Sequence, residues 1–252
     1  MIKSCSLRYD RTLSTEECAR NLREAGFTHT FLTWGYMDEG IRDVAAANAA
    51  ALTVETVHAS FGGVNEIWLD NLQGESRKDF FLSCIRATAM VGVKTMILHL
   101  SSGNTPPPPS EIGLRRYERI CKEGERLGVD VAFENLRKIE YLRYIFDHIH
   151  SPTRKFCFDC GHENLYDGGF GVLEQFSHSL AAVHLHDNFG THDDHLIPFT
   201  GTIDWDRLCT RLKQANFNLP ITLELKTTGG GLAYAKEAYA AACAVESRLT
   251  QN

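Results

Sequence analysis

The sequence contains no long uninterrupted apolar segment. Its most apolar stretch, residues 87–100, is broken by Lys94 and His99 and is too short to span a bilayer as a helix. The first ten residues, MIKSCSLRYD, lack the apolar centre and the small-residue cleavage site of a secretory signal. We therefore expect a cytoplasmic protein that does not interact with a membrane.

Closely spaced cysteines and an excess of basic charge are also missing. The eight cysteines are scattered over the chain, and the CxxC pair formed by Cys157 and Cys160 has no second pair to complete a zinc or redox motif. We expect reduced, buried thiols. The 26 lysines and arginines against 32 acidic residues give a net charge of −6, so a nucleic acid is not the expected partner.

Proline is scarce as well, and nothing resembles a flexible linker between domains. Four of the seven prolines form the run 106–109, which directly precedes a predicted helix and suits a stiff loop. With 43% hydrophobic residues, a chain of 252 residues can bury one large core. We therefore predict one domain over residues 1–252, and a homo-oligomer of that domain is compatible with the sequence.

What the sequence does contain is a repeated pattern of strand and helix. Eight short runs rich in β-branched, aromatic and aliphatic residues recur, separated by stretches with helical periodicity. This pattern predicts an α/β protein with a single (β/α)8 TIM barrel. An open doubly wound sheet is the alternative, but it often carries a glycine-rich turn after its first strand, and none follows residues 2–7. The predicted strands are residues 2–7, 29–34, 53–59, 95–100, 129–134, 155–159, 182–187 and 221–225.

Ionisable residues end, or directly follow, six consecutive predicted strands. In a parallel barrel the carboxyl ends of all strands meet at one mouth, so these side chains are expected to lie together. Repulsion and desolvation would disfavour so many carboxylates and imidazoles without a cation. Their oxygen and nitrogen atoms suit Mn, Mg, Zn, Co or Fe, so we predict one bound divalent metal ion. The residues concerned are His58, His99, Glu134, Asp159, His162, His184, His186, Asp187, Asp193, His195 and Glu224.

The seventh predicted strand carries two histidines, and the sequence does not decide between them. Residues two apart in a strand point to the same face, so His184 and His186 can both reach the barrel interior. We prefer His186 as the metal ligand because it lies nearer the carboxyl end of the strand. His184 would then lie deeper and support the ligands from behind.

Four segments carry a family resemblance: VAFENLR, FCFDCGHENLY, VHLHDNFGTHDDHLIPFTGTIDW and ITLELK. In this order they resemble the motifs of the xylose-isomerase-like TIM barrel superfamily, which includes sugar isomerases, sugar epimerases and the endonuclease IV group. The resemblance extends from about His58 to Glu224. It implies a divalent metal ion held by Glu134, Asp159, His186 and Glu224.

The resemblance also implies roles for the other polar residues at the mouth. Glu134 and Glu224 would act as catalytic acid and base groups in addition to binding the metal. The implied substrate contacts are His58, His99, His162 and His195. The implied ligands of a second or third metal ion are His162, Asp193, His195, His58 and His99.

These features predict a divalent-metal-dependent isomerase or epimerase of carbohydrate metabolism. Its substrate would be a small polyhydroxylated carbonyl compound, a sugar or sugar phosphate, in which a proton moves next to the carbonyl through an enediolate. A dehydratase using the same metal-enolate chemistry is one alternative, and a barrel that binds a sugar without converting it is another. A third is a zinc-dependent endonuclease for abasic sites, like endonuclease IV, although HASFGGVNEIW, DCGHEN and HLHDN depart from the motifs of that group.

The segment KTTGGGLA follows the last predicted strand and leads into the last predicted helix. Backbone amides of Gly229, Gly230 and Gly231 could bind a phosphate group at the start of this helix. A plain turn from strand to helix is the alternative reason for three glycines here.

Overall fold

The computed structural model describes residues 1–34, 37–166 and 171–251, in which eight parallel strands alternate with helices. The strands are β1 (Lys3–Ser6), β2 (His29–Trp34), β3 (Thr53–Ala59), β4 (Thr95–Leu98), β5 (Asp130–Glu134), β6 (Arg154–Asp159), β7 (Leu180–His184) and β8 (Ile221–Leu223). The helices are α1 (Thr15–Ala25), α2 (Met37–Ala49), α3 (Leu72–Met90), α4 (Glu111–Leu127), α5 (Ile139–His148), α6 (Cys160–Leu165), α7 (Val172–Phe176), α8 (Trp205–Gln214) and α9 (Gly231–Thr250), with 3-10 turns at Val64–Trp68 and Ser177–Ser179. Within the described ranges, no helix combines the length and the apolar character needed to cross a membrane.

The strands form one barrel. Each strand from β1 to β6 pairs in parallel with the next, and β8 pairs in parallel with β1. β7 and β8 meet through a parallel bridge between Leu185 and Leu223. There the N–H of Leu185 donates to Thr222 O over 2.9 Å, and the N–H of Glu224 donates to Leu185 O over 3.1 Å. The prediction of a single (β/α)8 TIM barrel is confirmed.

Four strands, β1, β4, β7 and β8, end earlier than the sequence pattern predicts, and the last two matter most for the mouth. β7 covers Leu180–His184, and β8 stops at Leu223. Residues 185–187 and Glu224 therefore lie directly after the regular strands. The bridge between β7 and β8 still ties this backbone to the barrel wall, so its side chains remain at the mouth.

The apolar core lies between the barrel wall and the surrounding helices, and a smaller apolar group fills the barrel interior. On the outside of the wall, Phe133 of β5 contacts Tyr117 of α4, with ring centres 5.6 Å apart. Side chains alternate along a strand, so Ala132 points inward, and Glu134, two residues on, points to the same side at the mouth. The interior group consists of Ile97, Ala132, Cys157 and Ala182.

The cysteines are free thiols, as the sequence predicts. Cys157 lies inside the barrel, where burial raises the pKa of its thiol to about 12. Cys160 is buried as well, and its Sγ donates to His186 O over 3.3 Å. Neither thiol has the lowered pKa of a reactive redox cysteine.

Candidate metal centre and active site

Glu134, the last residue of β5, lies among histidines from three other strands. Its side chain is 1% exposed, and its Oε2 lies 3.1 Å from His58 Nε2 and 2.9 Å from His99 Nε2. Its other oxygen, Oε1, lies 3.0 Å from His184 Nδ1. The common direction of the strands therefore brings together residues that are far apart in the sequence, as predicted for His58, His99 and Glu134.

Glu134 also belongs to a group of four with Asp159, His184 and Glu224. One potential ligand atom from each residue lies within 4.8 Å of those of the other three. His184 Nδ1 is 3.2 Å from Glu224 Oε2 and 4.0 Å from Asp159 Oδ2. Asp159 ends β6, and Glu224 directly follows β8. Three carboxylates and one imidazole around a single point match the donor set of a divalent cation.

The structure places His184, rather than His186, in this group of four. His186 Nε2 does lie 3.2 Å from Asp159 Oδ1, but its ring forms a separate group with Asp193 and His195. The assignment of His186 as the metal ligand stays a prediction, and the geometry favours His184 instead. That assignment relied on closeness to the carboxyl end of the strand, whereas the carboxylates converge deeper in the mouth, at the level of His184.

A third set of side chains lies beside the group of four. Asp193 Oδ2 is 3.0 Å from His195 Nε2 and 3.6 Å from His162 Nε2. His195 Nδ1 donates to Glu224 O over 3.0 Å and so holds the ring at the rim, in a backbone conformation with φ of 51°. Lys226 Nζ contacts His195 Nε2, so a cationic side chain borders this set.

Asn135, which follows Glu134, holds two neighbouring residues in place. Its Nδ2 donates to Asp159 O over 2.8 Å, and its Oδ1 accepts from the N–H of Asp159, also over 2.8 Å. Its carbonyl oxygen accepts from His162 Nδ1 over 3.0 Å. Sequence reasoning missed Asn135, although its place beside Glu134 in VAFENLR is a usable signal.

Asp187 has a structural role, although it lies among the polar residues of the mouth. Its fully buried carboxylate accepts from Trp205 Nε1 over 2.7 Å and from the N–H groups of Phe199 and Ile203 over 3.0 and 3.1 Å. These bonds fold the segment between β7 and α8 against the barrel. In the described part of the chain, Asp187 belongs to none of the groups that could hold a metal ion.

Both glutamates of the group of four are held ionised. Burial acts to raise the pKa of Glu134, but the adjacent His184 and His99 outweigh it, so the pKa lies well below its ordinary value. Burial is likewise outweighed at Glu224, where His184 and His195 hold the pKa well below its ordinary value. An ionised carboxylate is the form that binds a metal ion or accepts a proton.

The histidines of the mouth respond to these carboxylates in different ways. Burial acts to lower the pKa of His162, but Asp159, Asp193 and Glu134 outweigh it and raise the pKa to about 10. The pKa of His99 is lowered, because there burial outweighs the attraction of Glu134. The carboxylates around His162 therefore favour positive charge at this place, as a cation site requires. The residues present therefore fit a divalent metal ion.

A cavity of about 150 Å³ borders the histidines on their solvent side. The ring of Phe61 stacks on His99 with centres 4.3 Å apart, and Tyr166 stacks on His162 with centres 5.7 Å apart. Pockets for drug-sized ligands measure roughly 300–1,000 Å³, so this cavity suits a smaller molecule. A larger cavity, of about 330 Å³, lies between α6 and α8 and contains none of the predicted ligands.

The glycine run after β8 makes a turn, and its helix start is already occupied. Asp10 Oδ2 accepts from the N–H of Gly231, the first residue of α9, over 3.0 Å. Tyr9 OH donates to Gly231 O over 2.9 Å. Gly230 has a φ of 100°, which favours glycine. Because a carboxylate satisfies the amide that a phosphate would use, the turn is the better interpretation of this run.

The fold and the site together define a class of protein: a (β/α)8 barrel whose mouth carries carboxylates and imidazoles in the arrangement of metal ligands. A sequence model of the family described as xylose isomerase-like TIM barrel matches residues 19–245. The chain belongs to this family, which confirms the resemblance found in its motifs.

Individual proteins resemble this chain only at low sequence identity. The uncharacterized protein y4fM of Sinorhizobium fredii (strain NBRC 101917 / NGR234) is 29% identical, over 81% of this chain and 78% of that protein. The structure of D-psicose 3-epimerase with D-tagatose from Clostridium cellulolyticum H10 has a TM-score of 0.78 at 15% identity, over 99% of both chains. The 3-keto-D-glucoside 4-epimerase YcjR from E. coli has a TM-score of 0.74 at 18% identity, over 98% of this chain and 100% of that chain. At such identities the likeness establishes a shared fold.

Proposed function

We propose that this protein is a divalent-metal-dependent isomerase or epimerase of a small polyhydroxylated carbonyl compound. One observation carries the proposal: the ionised Glu134 and Glu224 lie in one buried group with Asp159 and His184, beside a small cavity. The names of two structurally similar proteins, a D-psicose 3-epimerase and a 3-keto-D-glucoside 4-epimerase, support a keto sugar as substrate.

The metal ion would be held by Glu134, Asp159, His184 and Glu224. When bound, it would supply positive charge to offset the negative charge that develops on the substrate oxygens. Further ions could be held by His58 and His99 with Glu134, and by the group around Asp193.

The two glutamates would move the proton. Glu134 comes from β5 and Glu224 from the end of β8, and they lie 3.0 and 3.2 Å from the same nitrogen of His184. One carboxylate takes the proton from the carbon next to the carbonyl, and the other returns a proton. Return to the opposite face of the same carbon gives an epimer, whereas return to the adjacent carbon exchanges aldose and ketose.

Histidines at the wall of the cavity would hold the substrate hydroxyls. His99 and His162 both line the cavity, and their rings are fixed by stacking on Phe61 and Tyr166. With a raised pKa, His162 is protonated and donates hydrogen bonds. This orients a bound sugar with its carbonyl toward the two glutamates.

Product analysis tests this reaction against the dehydratase alternative. Purified protein loaded with Mn²⁺ is incubated with a panel of ketoses and aldoses, and the products are followed by NMR and mass spectrometry. An isomer of unchanged mass is expected. A product lighter by one water would show a dehydratase, and an unchanged panel that still binds to the protein would show a sugar-binding barrel.

A second candidate function, an abasic-site endonuclease that uses zinc, is favoured by one feature of the geometry. Glu134 is shared between the His58–His99 pair and the group of four, and the set around Asp193 lies beside them, so three ions could bind side by side. This function predicts three zinc ions per chain and cleavage of a duplex containing an abasic site. Intact duplex after incubation with the zinc-loaded protein excludes it.

A further inference from the structure

The outer wall of the mouth cavity carries polar groups that the proton transfer does not use. Ser101 is 3% exposed and lines the cavity, yet its hydroxyl has no hydrogen-bond partner among the described residues. This hydroxyl is therefore free to form a hydrogen bond with a ligand in the cavity. Ser102 lies beside it, with its backbone fixed by two 2.9 Å hydrogen bonds to the side-chain amide of Asn65. The backbone of Ser102 is therefore held in place before any ligand arrives.

Arg137 lines the same wall from the loop after β5. Its Nη2 donates to Tyr166 OH over 2.9 Å, and its guanidinium carbon lies 4.5 Å from the centre of the Tyr166 ring. No carboxylate of the described residues forms an ion pair with it. Arg137 is exposed, and a guanidinium has five N–H donors, so most of them stay open to a ligand. Tyr166 holds the guanidinium in one plane, which reduces the entropy lost when a ligand binds.

The charge on this wall is positive. The carboxylate that lines the cavity is Asp193, and it already lies 3.0 Å from His195 Nε2 and 3.6 Å from His162 Nε2. An arginine fork beside two serine hydroxyls matches the planar oxygen arrangement of a phosphate or a carboxylate. A neutral hydroxyl would offer this exposed guanidinium no opposite charge.

We propose that Arg137 and Ser101 form a binding subsite for an anionic group on the substrate. The inference rests on the proposed function and narrows its substrate class to a polyhydroxylated carbonyl compound that carries a phosphate or a carboxylate. The anion contacts Arg137 and Ser101 at the outer wall, while the carbonyl end lies toward Glu134 and Glu224.

Isothermal titration calorimetry on the Mn²⁺-loaded protein tests the subsite with three ligands. D-fructose is neutral, D-fructose 6-phosphate carries a phosphate, and 5-keto-D-gluconate carries a carboxylate. We expect one of the two anions to bind at least tenfold more tightly than D-fructose, because a hydrogen-bonded ion pair is lost without the anion. The anion with the higher affinity identifies the chemical group. Equal affinity for all three ligands overturns the inference.

Variants separate the subsite from general attraction to the metal centre. In Arg137→Gln, the ratio of the affinity for the anion to the affinity for D-fructose should fall close to one. Arg137→Lys should keep part of this ratio, and Ser101→Ala should lower the ratio several-fold. Arg143→Gln, an equal change of charge on an exposed position of α5, is the matched control and should keep the ratio. A preference for anions that persists in Arg137→Gln overturns the inference.

This test does not depend on the reaction. An anion preference that requires Arg137, without any conversion of the ligands, supports the subsite and contradicts the proposed function. Conversion of a neutral sugar without any anion preference supports the proposed function and overturns the subsite.

Discussion

Some residues at the mouth could bind a metal ion, and others hold those ligand residues in position. Glu134 faces three histidines. The side chain of Asn135, the next residue, bonds to both the N–H and the C=O of Asp159. The sequence indicates Glu134 because a carboxylate ends a strand. It does not indicate Asn135 as clearly, because the partner of an amide depends on how the neighbouring strand is placed.

Replacing Asn135 by alanine should weaken metal binding. The variant loses both hydrogen bonds to Asp159, so we expect a 10- to 100-fold lower affinity for Mn²⁺ and a loss of about 1–3 kcal/mol in the free energy of unfolding. Calorimetry and urea denaturation measure these effects. Asn65→Ala is the matched control, because it also loses two hydrogen bonds to one backbone, that of Ser102. Equal Mn²⁺ affinity in both variants would contradict the positioning role of Asn135.

The choice between His184 and His186 shows where residue-level prediction stops. Alternation along a strand correctly places both histidines on one face. Which of them meets Glu134 and Glu224 depends on depth, and depth depends on a register shift between β6 and β7 and on the closing bridge at Leu185. Both are set by contacts between distant strands, which a local pattern does not contain.

At the scale of secondary-structure elements, local signals predict much of the fold. All eight predicted strands overlap strands of the structure, and the chain enters α1 through a capping box in which Ser14 and Glu17 bond reciprocally. The loops are less predictable. The buried Asp187 organises the segment from β7 to α8, and Arg137 with Tyr166 forms the outer wall of the cavity. None of these three residues has a local sequence signal for its role.

Replacing Asp187 by alanine should destabilise the segment between β7 and α8. Four donors would lose their buried acceptor, namely the N–H groups of Asn188, Phe199 and Ile203 in this segment and Trp205 Nε1 of α8, so the free energy of unfolding should fall by about 3–5 kcal/mol. Urea denaturation followed by circular dichroism measures the loss. Asp204→Ala removes only the cap of α8, in which Asp204 accepts from the N–H of Arg207, and should cost about 1 kcal/mol. Equal losses would contradict the role assigned to Asp187.

The start of α6 is packed against the histidines of the mouth. A Cβ added at Gly161 would lie 1.9 Å from Cε1 of His186, so Gly161→Ala should displace this ring and cost about 1–3 kcal/mol in unfolding free energy. Thermal denaturation checks the cost, and the proton NMR signal of the His186 ring checks the displacement. Gly62→Ala, where a Cβ meets nothing within 4 Å, is the control. An unshifted His186 signal would contradict the packing.

At the scale of the whole molecule, the barrel concentrates acidic residues at one end. The group of four contributes three carboxylates, which explains part of the net charge of −6, and we expect a cation bound there to stabilise the fold. Six strands, β3 to β8, end at or beside residues of the mouth, so binding there links distant parts of the chain.

Adding a divalent ion should raise the melting temperature. At a free concentration 100 times the dissociation constant, binding stabilises the native state by about 2.7 kcal/mol. For a chain of this size that corresponds to a rise of roughly 5–10 °C. Scanning calorimetry with Mn²⁺, and again after EDTA, measures the rise and its reversal. A melting temperature that is the same with and without Mn²⁺ would contradict a metal site at the mouth.

The most direct measurement is the exchange of substrate hydrogen with solvent. The Mn²⁺-loaded protein is incubated in D₂O with neutral and anionic keto sugars, and deuterium at the carbon next to the carbonyl is measured by NMR. We predict incorporation by the native protein, and its loss after EDTA treatment and in both Glu134→Gln and Glu224→Gln. The absence of deuterium from every sugar, or incorporation that continues unchanged in both variants, would contradict proton transfer by this pair of glutamates.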